Sequence, residues 1–514
     1  MLAKTYCAAV NGLEVNTVTI ETSVETGSAV QLSGLGDEAV RESQSRIRIA
    51  FGYSGYKFPH KSVTINLSPA NLRKEGSGYD LPMAVGVLAA DESMPVDHLH
   101  EYMLLGELGL DGKLKPVRGA LPVAILARKE NFKGLIVPKE NAREAAVVNN
   151  LEVYGMSTLA EVVQFLSDQR DAEPLVYDTR QVFYEHQYQF EYDFSEVKGQ
   201  ENVKRAMEIA AAGGHNMIMV GPPGSGKSMM AKRLPSILPP LSLSESLETT
   251  QIHSIAGKLG TDVSLVSQRP FRSPHHTISQ VALVGGGTNP APGEISLAHN
   301  GVLFADELPE FSKQTLEVLR QPLEDRKITI ARAKYTIEYP CSFMFVASAN
   351  PCPCGYYGDQ THDCICTPGQ RHRYMSKISG PLMDRIDIQC EISPVPFDDI
   401  SKKEDGESSA AIRERVIRAR KIQEERYKDF KGVHCNAQMT ERMLHLFAEP
   451  SPESLEMLKM AMKRFSLSAR AYSRILKVAR TIADLEGREG IELNDIAEAV
   501  SYRALDRADW CERL

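Results

Sequence analysis

Long apolar runs are scarce in this 514-residue chain: none reaches the roughly 18 residues that a membrane-spanning helix requires. The first twenty residues, MLAKTYCAAVNGLEVNTVTI, have neither the apolar stretch nor the small-residue cleavage site of a secretory signal. A cytoplasmic protein without a membrane partner is therefore expected. Cysteine is also sparse, nine residues in all, too few for a disulfide scaffold at this length. An excess of positive charge is missing: 59 Lys and Arg stand against 67 Asp and Glu, a formal net charge of −8. That excludes a uniformly basic nucleic-acid coat and leaves local basic surfaces open. Internal repeats of the solenoid kind are absent. The remainder is ordinary for a globular protein, 42% hydrophobic and 25% charged, which rules out disordered, collagenous and fibrous classes. The length suggests about three domains.

The chain divides into units on its patterning. Residues 1–167 mix β-branched runs (Val15–Ile20, Ser62–Leu67, Gly134–Pro138) with helical stretches (Asp80–Ala90, Leu121–Glu130). Residues 168–194 sustain no helical period and read as a linker, ordered if at all by its aromatics. From 195 to 396, apolar strands (Met217–Val220, Val302–Ala305, Phe343–Ala347) alternate with helices and glycine loops, the pattern of a parallel α/β sheet. From 397 to 514 helical periodicity dominates, and this unit is expected to be all-α.

The sharpest motif is GPPGSGKS, comprising Gly221, Pro222, Pro223, Gly224, Ser225, Gly226, Lys227 and Ser228. It follows an apolar strand and opens a helix, the context a phosphate-binding loop demands. The glycines let backbone N–H groups converge on the phosphates of ATP. Lys227 is placed to reach the β- and γ-phosphates, and the Ser228 hydroxyl to ligate Mg²⁺. Downstream, Val302–Ala305 ends in Asp306 and Glu307. A strand-end carboxylate beside such a loop can hold Mg²⁺, and its neighbour can activate the attacking water. Asp306 is assigned to the metal and Glu307 to the base. Phe343–Ala349 is a further buried strand ending in Asn350, whose amide can hydrogen-bond the γ-phosphate or the water.

This arrangement resembles the AAA+ ATPases, with Asn350 in the place of their first sensor. Pro381-Leu382-Met383-Asp384-Arg385-Ile386-Asp387 resembles their arginine-finger segment, which implies that Arg385 reaches a neighbouring subunit's γ-phosphate. Spacing alone equally allows a surface arginine in a local charge cluster. Ser468-Ala469-Arg470 resembles the second sensor, implying that Arg470 touches nucleotide, with Arg474 one turn along as the reserve. Together with PFRSPHHTISQVALVGGG (Pro270–Gly287) and LSARAYSRILKVARTIADL (Leu467–Leu485), these elements resemble the YifB/ComM family of magnesium-chelatase-like AAA+ ATPases over essentially the whole chain. The resemblance implies a P-loop AAA+ core and a C-terminal helical lid. It also implies an insertion at about 278–297 and a hairpin at Lys327–Tyr339 facing a central pore. Arg332 and Lys334 near the hairpin tip are the DNA-contact candidates, a basic tip being able to meet phosphates without reading sequence. The alternative is an edge hairpin whose charges only block aggregation.

Residues 1–167 resemble the Lon protease domain, an α+β fold of the ribosomal S5 domain 2 type, through Gly106–Leu114, Pro116–Gly119, Gly134–Glu140 and Lys74–Gly78. Lon's Ser–Lys dyad falls here on Gly78 and Leu121, and a one-residue slip brings in Ser77 but no lysine. A non-proteolytic relative is expected.

Four of the nine cysteines, Cys352, Cys354, Cys364 and Cys366, lie within fifteen residues as two C-x-C pairs. Four thiolates can close a tetrahedral Zn²⁺ site, with His362 as a substitute ligand; a redox pair or clustered free thiols are the alternatives. Cys7, Cys341, Cys390, Cys435 and Cys511 read as packing residues, and His275-His276 as part of the insertion loop. The basic stretch Ile412–Lys431 reads as a solvated lid helix, with DNA contact a minor option. The expected function is an ATP-hydrolysing ring motor, a hexamer with sites between subunits. By resemblance its substrate is single-stranded or branched DNA, as for a branch-migration helicase in recombination or natural transformation. The alternative is an ATP-driven remodeller of a protein partner.

Overall fold

The computed structural model describes residues 1–503 and 505, except 177, 261–262, 288–290, 333–334, 360–361 and 396–404, with backbone alone at 332 and 335. Two sheets organise the molecule. The first has seven strands in the order Val30–Ser33, Ser62–Ser68, Glu14–Glu25, Leu2–Asn11, Tyr102–Leu104, Gly134–Pro138, Glu152–Met156. Glu14–Glu25 pairs antiparallel with both Leu2–Asn11 and Ser62–Ser68, and the other neighbours pair parallel, as expected of a mixed α+β unit. The helix Asp80–Ala90 is buried at every residue, which explains its apolar sequence on all sides. Its one carboxylate, Asp80, accepts two hydrogen bonds from Arg46 at 2.8 and 2.9 Å. Leu121, at the position of the Lon lysine, is fully buried in this core. Ser77 donates its hydroxyl to Glu107, and the buried Lys74 reaches the Pro69 carbonyl.

The second sheet has five strands, all parallel, in the order Phe271–Arg272, Val302–Ala305, Met344–Ala349, Met217–Val220, Ile388–Glu391. Three are buried along nearly their full length and therefore read as continuous apolar runs. The helix Glu201–Gly213 packs against the lid helices Ser409–Tyr427 and Ala469–Leu485, and all three share one core with the sheet. Among the described residues no helix is long and apolar enough to cross a membrane.

Residues 168–194, read from the sequence as a linker with no sustained helical period, include one short helix. Thr179–His186 is helical, capped by Asp178 accepting from the Gln181 amide at 3.0 Å. Only Thr179 and Phe183 are buried in it, so two turns with one large anchor leave no periodic signature. Phe183 joins the first core and Phe194 the second, while Arg413 lies over Tyr188 and Phe190 at 4.9 and 5.3 Å. The basic lid helix likewise turns much of its charge inward. Arg420 donates to the Ala211 and Ala212 carbonyls, Arg415 pairs with Glu208 and Glu407, and Arg426 with Asp484; Arg418 and Lys421 stay exposed.

A buried polar network fastens the lid to the start of the strand Met217–Val220. His215 meets Asp387 through Nδ1 at 3.1 Å and Thr481 through Nε2 at 2.8 Å, and Arg474 meets Asp387 at 2.8 Å. Burial alone would raise the Asp387 carboxyl, but Arg474, His215 and Lys477 outweigh it and hold it well below the usual carboxylate range. Burial pushes the Lys477 ammonium down to about 8. Asp387→Asn, which leaves Arg474 and Lys477 facing no carboxylate, is expected to lower stability at pH 7 by about 3 kcal/mol or more. Because the folded-state carboxyl is depressed, its contribution is present above about pH 4 and is lost as pH falls further. Thermal unfolding of both proteins from pH 7 to pH 3 checks this: the gap between them narrows below pH 4.

Candidate functional site

The strand Met217–Val220 delivers the chain to the phosphate loop at the carboxyl end of the sheet, where open parallel sheets bind ligands. Gly224 and Gly226 turn the loop with φ of +77° and +87°, a backbone region that side chains disfavour. A β-carbon at Gly221 would lie 2.3 Å from the Ile392 carbonyl oxygen, so that position also admits only glycine. The helix Lys227–Arg233 begins at once, aiming its N-terminus at the loop.

The structure brings the expected polar residues together around this loop. Lys227 Nζ donates to the carbonyls of Gly221 and Pro222, both at 2.8 Å, and lies 3.3 Å from Asn350 Oδ1. Burial pushes its ammonium below the usual value, and the Asp306 and Glu307 carboxylates pull it back. Ser228 Oγ donates to Asp306 Oδ2 at 2.8 Å, joining the two residues expected at the metal. Asp306 Oδ1 accepts from Ser348, whose oxygen in turn accepts from the Glu307 amide at 2.9 Å. Ser348 was missed by sequence reasoning. Its signal was a lone hydroxyl in the apolar strand FMFVASA, two residues before Asn350 and hence on the same face. Glu307 has a φ of +54°, a left-handed conformation costing about 1–3 kcal/mol for a residue with a side chain and typical of functional sites.

The two arginines lie elsewhere. Arg385 donates to the Pro381 carbonyl at 2.6 Å and pairs with Glu324, and its main-chain oxygen accepts from Asn216 at the start of the strand Met217–Val220. About 13 Å of strand separates that end from the phosphate loop. Arg470, expected to touch nucleotide from the lid, pairs instead with Asp384 at 2.6 Å, beside Arg385. Neither stands at this chain's own loop: the helix Ala469–Leu485 is fastened through Arg474 and Thr481 to the amino end of the sheet.

The cysteine loop follows Asn350 directly. The four sulfurs of Cys352, Cys354, Cys364 and Cys366 lie within 4.8 Å of one another, with separations of 3.3, 3.7 and 3.6 Å among the first three. Burial would raise the Cys354 thiol, but backbone contacts from Tyr356 and Ile365 and the Cys352 side chain bring it down to about 6; burial pushes Cys352 up to about 12. His362, the substitute ligand of the sequence reading, stays outside the group; its ring stacks on Tyr356 at 4.8 Å. The loop also rests on the phosphate loop, since a β-carbon at Gly355 would meet Pro223 Cδ at 2.7 Å. Of the other cysteines, Cys7, Cys341, Cys390 and Cys435 are buried, and Cys511 lies outside the described residues.

The hairpin pairs Lys327–Arg332 with Tyr335–Pro340, in a register that sets Arg332 opposite Tyr335. Lys334 and the Arg332 side chain lie outside the described residues. Ile328 and Ile330 are buried in the core beneath the hairpin. Ile337 packs on the Leu2–Asn11/Glu14–Glu25 turn of the first sheet, where a β-carbon at Gly12 would be 2.3 Å from its Cγ2. The insertion forms a short helix, Gln280–Val284, and a two-residue strand pair, Gly285–Gly286 with Ala291–Pro292, before the helix Glu294–Leu297.

Comparison with known proteins agrees with this architecture. Residues 193–400 match the family described as magnesium chelatase, subunit ChlI; residues 20–141 match subunit ChlI of Mg-chelatase, and residues 406–503 its C-terminal part. Lon protease 2 of Bacillus subtilis is 25% identical over 178 residues, 30% of this chain and 32% of that protein. The competence protein ComM of Haemophilus influenzae is 42% identical over 508 residues, and YifB of Salmonella typhimurium 43% over 509, each alignment covering 98% of both chains. With such identity sustained across the whole length, the chain belongs to the YifB/ComM family of magnesium-chelatase-like AAA+ proteins, a family that implies ATPase activity.

Proposed function

We propose that the protein is an ATP-hydrolysing ring motor that acts on DNA, a branch-migration helicase serving recombination or uptake of DNA. The observation carrying this reading is the separation of its polar groups: phosphate loop, carboxylates and Asn350 at one end of the sheet, Arg385 and Arg470 at the other. A complete site then needs two copies meeting head to tail, the kind of contact that closes into rings, here a hexamer.

In such a site the loop amides and Lys227 bind the β- and γ-phosphates of ATP. Ser228 and Asp306, already hydrogen-bonded to each other, are the residues that would hold Mg²⁺, which neutralises phosphate charge when bound. Glu307 takes the proton of the attacking water, and Asn350 holds the γ-phosphate or that water in line. Arg385 of the neighbouring copy stabilises the charge that spreads over the transferred phosphoryl group. Arg470 stands beside it to contact the same nucleotide. DNA as the substrate is supported by the similarity to a competence protein and by the hairpin's basic residues Arg332 and Lys334. The net charge of −8 favours the second reading, a remodeller of a protein client.

The cysteine loop is proposed to hold structural Zn²⁺. Zn–S bonds of about 2.3 Å in a tetrahedron set sulfurs about 3.8 Å apart. The 3.3 to 3.7 Å separations among Cys352, Cys354 and Cys364 need little adjustment, and Cys366 lies within 4.8 Å of all three. The metal would brace a loop that touches Pro223.

Turnover measured without DNA and with single strands, duplex and four-way junctions tests the substrate. Stimulation of several fold, strongest on branched DNA, and a fall of about 100-fold or more in Glu307→Gln are expected; no response to any DNA would sink the helicase reading. Lys227→Ala and Arg385→Ala should each be inactive alone, whereas a mixture recovers activity because some interfaces combine an intact loop with an intact arginine. Elemental analysis should find about one zinc per chain, lost with a lower Tm in Cys364→Ser.

A further inference from the structure

Glu307 carries the chemistry of the proposed site, yet only its main chain is tied down. Its amide is held by Ser348, while its side chain is half exposed. Besides Lys227 and Tyr374, whose ionisation its charge biases, its carboxylate faces His276, whose Nδ1 lies 3.8 Å from Glu307 Oε2. That distance is too long for a hydrogen bond and short enough for a small side-chain rotation to make one.

The imidazole is itself held in place. It meets the Phe311 ring edge-on at 6.4 Å and 74°, and it packs against His275 at 4.1 Å. His275 is braced by the Thr277 hydroxyl at 2.9 Å, and its carbonyl accepts from the Ile278 amide at 2.9 Å. The two rings are tilted by 33°, and of the pair His276 is the one turned toward the carboxylate. The histidine pair of the SPHH stretch, which the nucleotide chemistry leaves unused, therefore has a defined place beside the base.

The loop also has a defined upstream and downstream. It leaves the strand Phe271–Arg272, hydrogen-bonded beside the carboxylate strand Val302–Ala305. It ends in the helix Gln280–Val284, capped by Ser279 accepting from the Ala282 amide at 3.2 Å. The next residue, Gly285, packs on the hairpin: a β-carbon there would lie 2.9 Å from Ile330 Cδ1. One short helix thus joins the loop of His276 to the residue that packs on the hairpin.

We propose that His276 is a positioning residue for Glu307: it sets the carboxylate for attack on the γ-phosphate and links that setting to the hairpin through the helix Gln280–Val284. The inference rests on the ATPase reading of the site. A positioning role predicts a loss in kcat without a loss in nucleotide binding.

The test uses the full-length protein, with ATP turnover for kcat and KM, binding of a fluorescent ATP analogue, and thermal unfolding. His276→Ala should lower kcat at least five-fold with KM and analogue affinity within two-fold of the parent. His276→Asn, whose amide nitrogen comes close to the place of Nδ1, should recover most of the loss. Unchanged or raised kcat in His276→Ala, beside an inactive Glu307→Gln, overturns the inference alone. Equal losses in the Ala and Asn variants with a lowered Tm also overturn it, since they indicate a packing role. Full turnover in Glu307→Gln overturns the site reading, and the inference with it.

Discussion

The hydrogen bond from Ser228 to Asp306 joins the helix after the phosphate loop to the end of a different strand, and the site's geometry depends on that junction. Ser348 extends it to a third strand by donating to Asp306 and accepting from the Glu307 amide. Three chain segments far apart in sequence are thereby held in one register at the carboxyl end of the sheet. The left-handed backbone at Glu307 is sustained by the same contacts, since a strained residue persists only where its surroundings over-determine it.

Strand direction has a second consequence. In a parallel sheet every strand carries its amino end to the same side, so a residue just before the strand Ile388–Glu391 stands a strand's length from the phosphate loop. Arg385 and Arg470 are in that position, paired with Glu324 and Asp384. The network of His215, Asp387, Arg474 and Thr481 fastens the lid to this same edge, so both arginines belong to one rigid surface. In the proposed ring one copy would present a loop and the next the arginines, which makes association part of the chemistry proposed here.

Much of the fold was legible because its signals are local. Met217–Val220, Val302–Ala305, Asp80–Ala90 and Ala469–Leu485 occur where their apolar patterns place them. Thr179–His186 was not legible, because one buried phenylalanine in two turns leaves no period to read. The loop GPPGSGKS and the strand-end carboxylates could be assigned singly, since each combines a chemistry with an adjacent strand. Ser348 and His276 escaped because their partners are distant in sequence. A serine in an apolar strand and a histidine pair in a loop acquire meaning only from what lies across the sheet.

Sequence alone therefore determined the loop and strand-end residues on which the proposed nucleotide chemistry rests, the order of sheet and helical units and the gathering of four cysteines, all carried by contiguous residues whose spacing encodes local geometry. Tertiary structure decided which groups face one another. It set Lys227 beside Asn350 and His276 beside Glu307, left His362 outside the sulfur cluster, and turned Arg470 away from its own loop. The reason is physical: strand order and direction in the parallel sheet determine which ends meet, and no run of neighbouring residues contains that information.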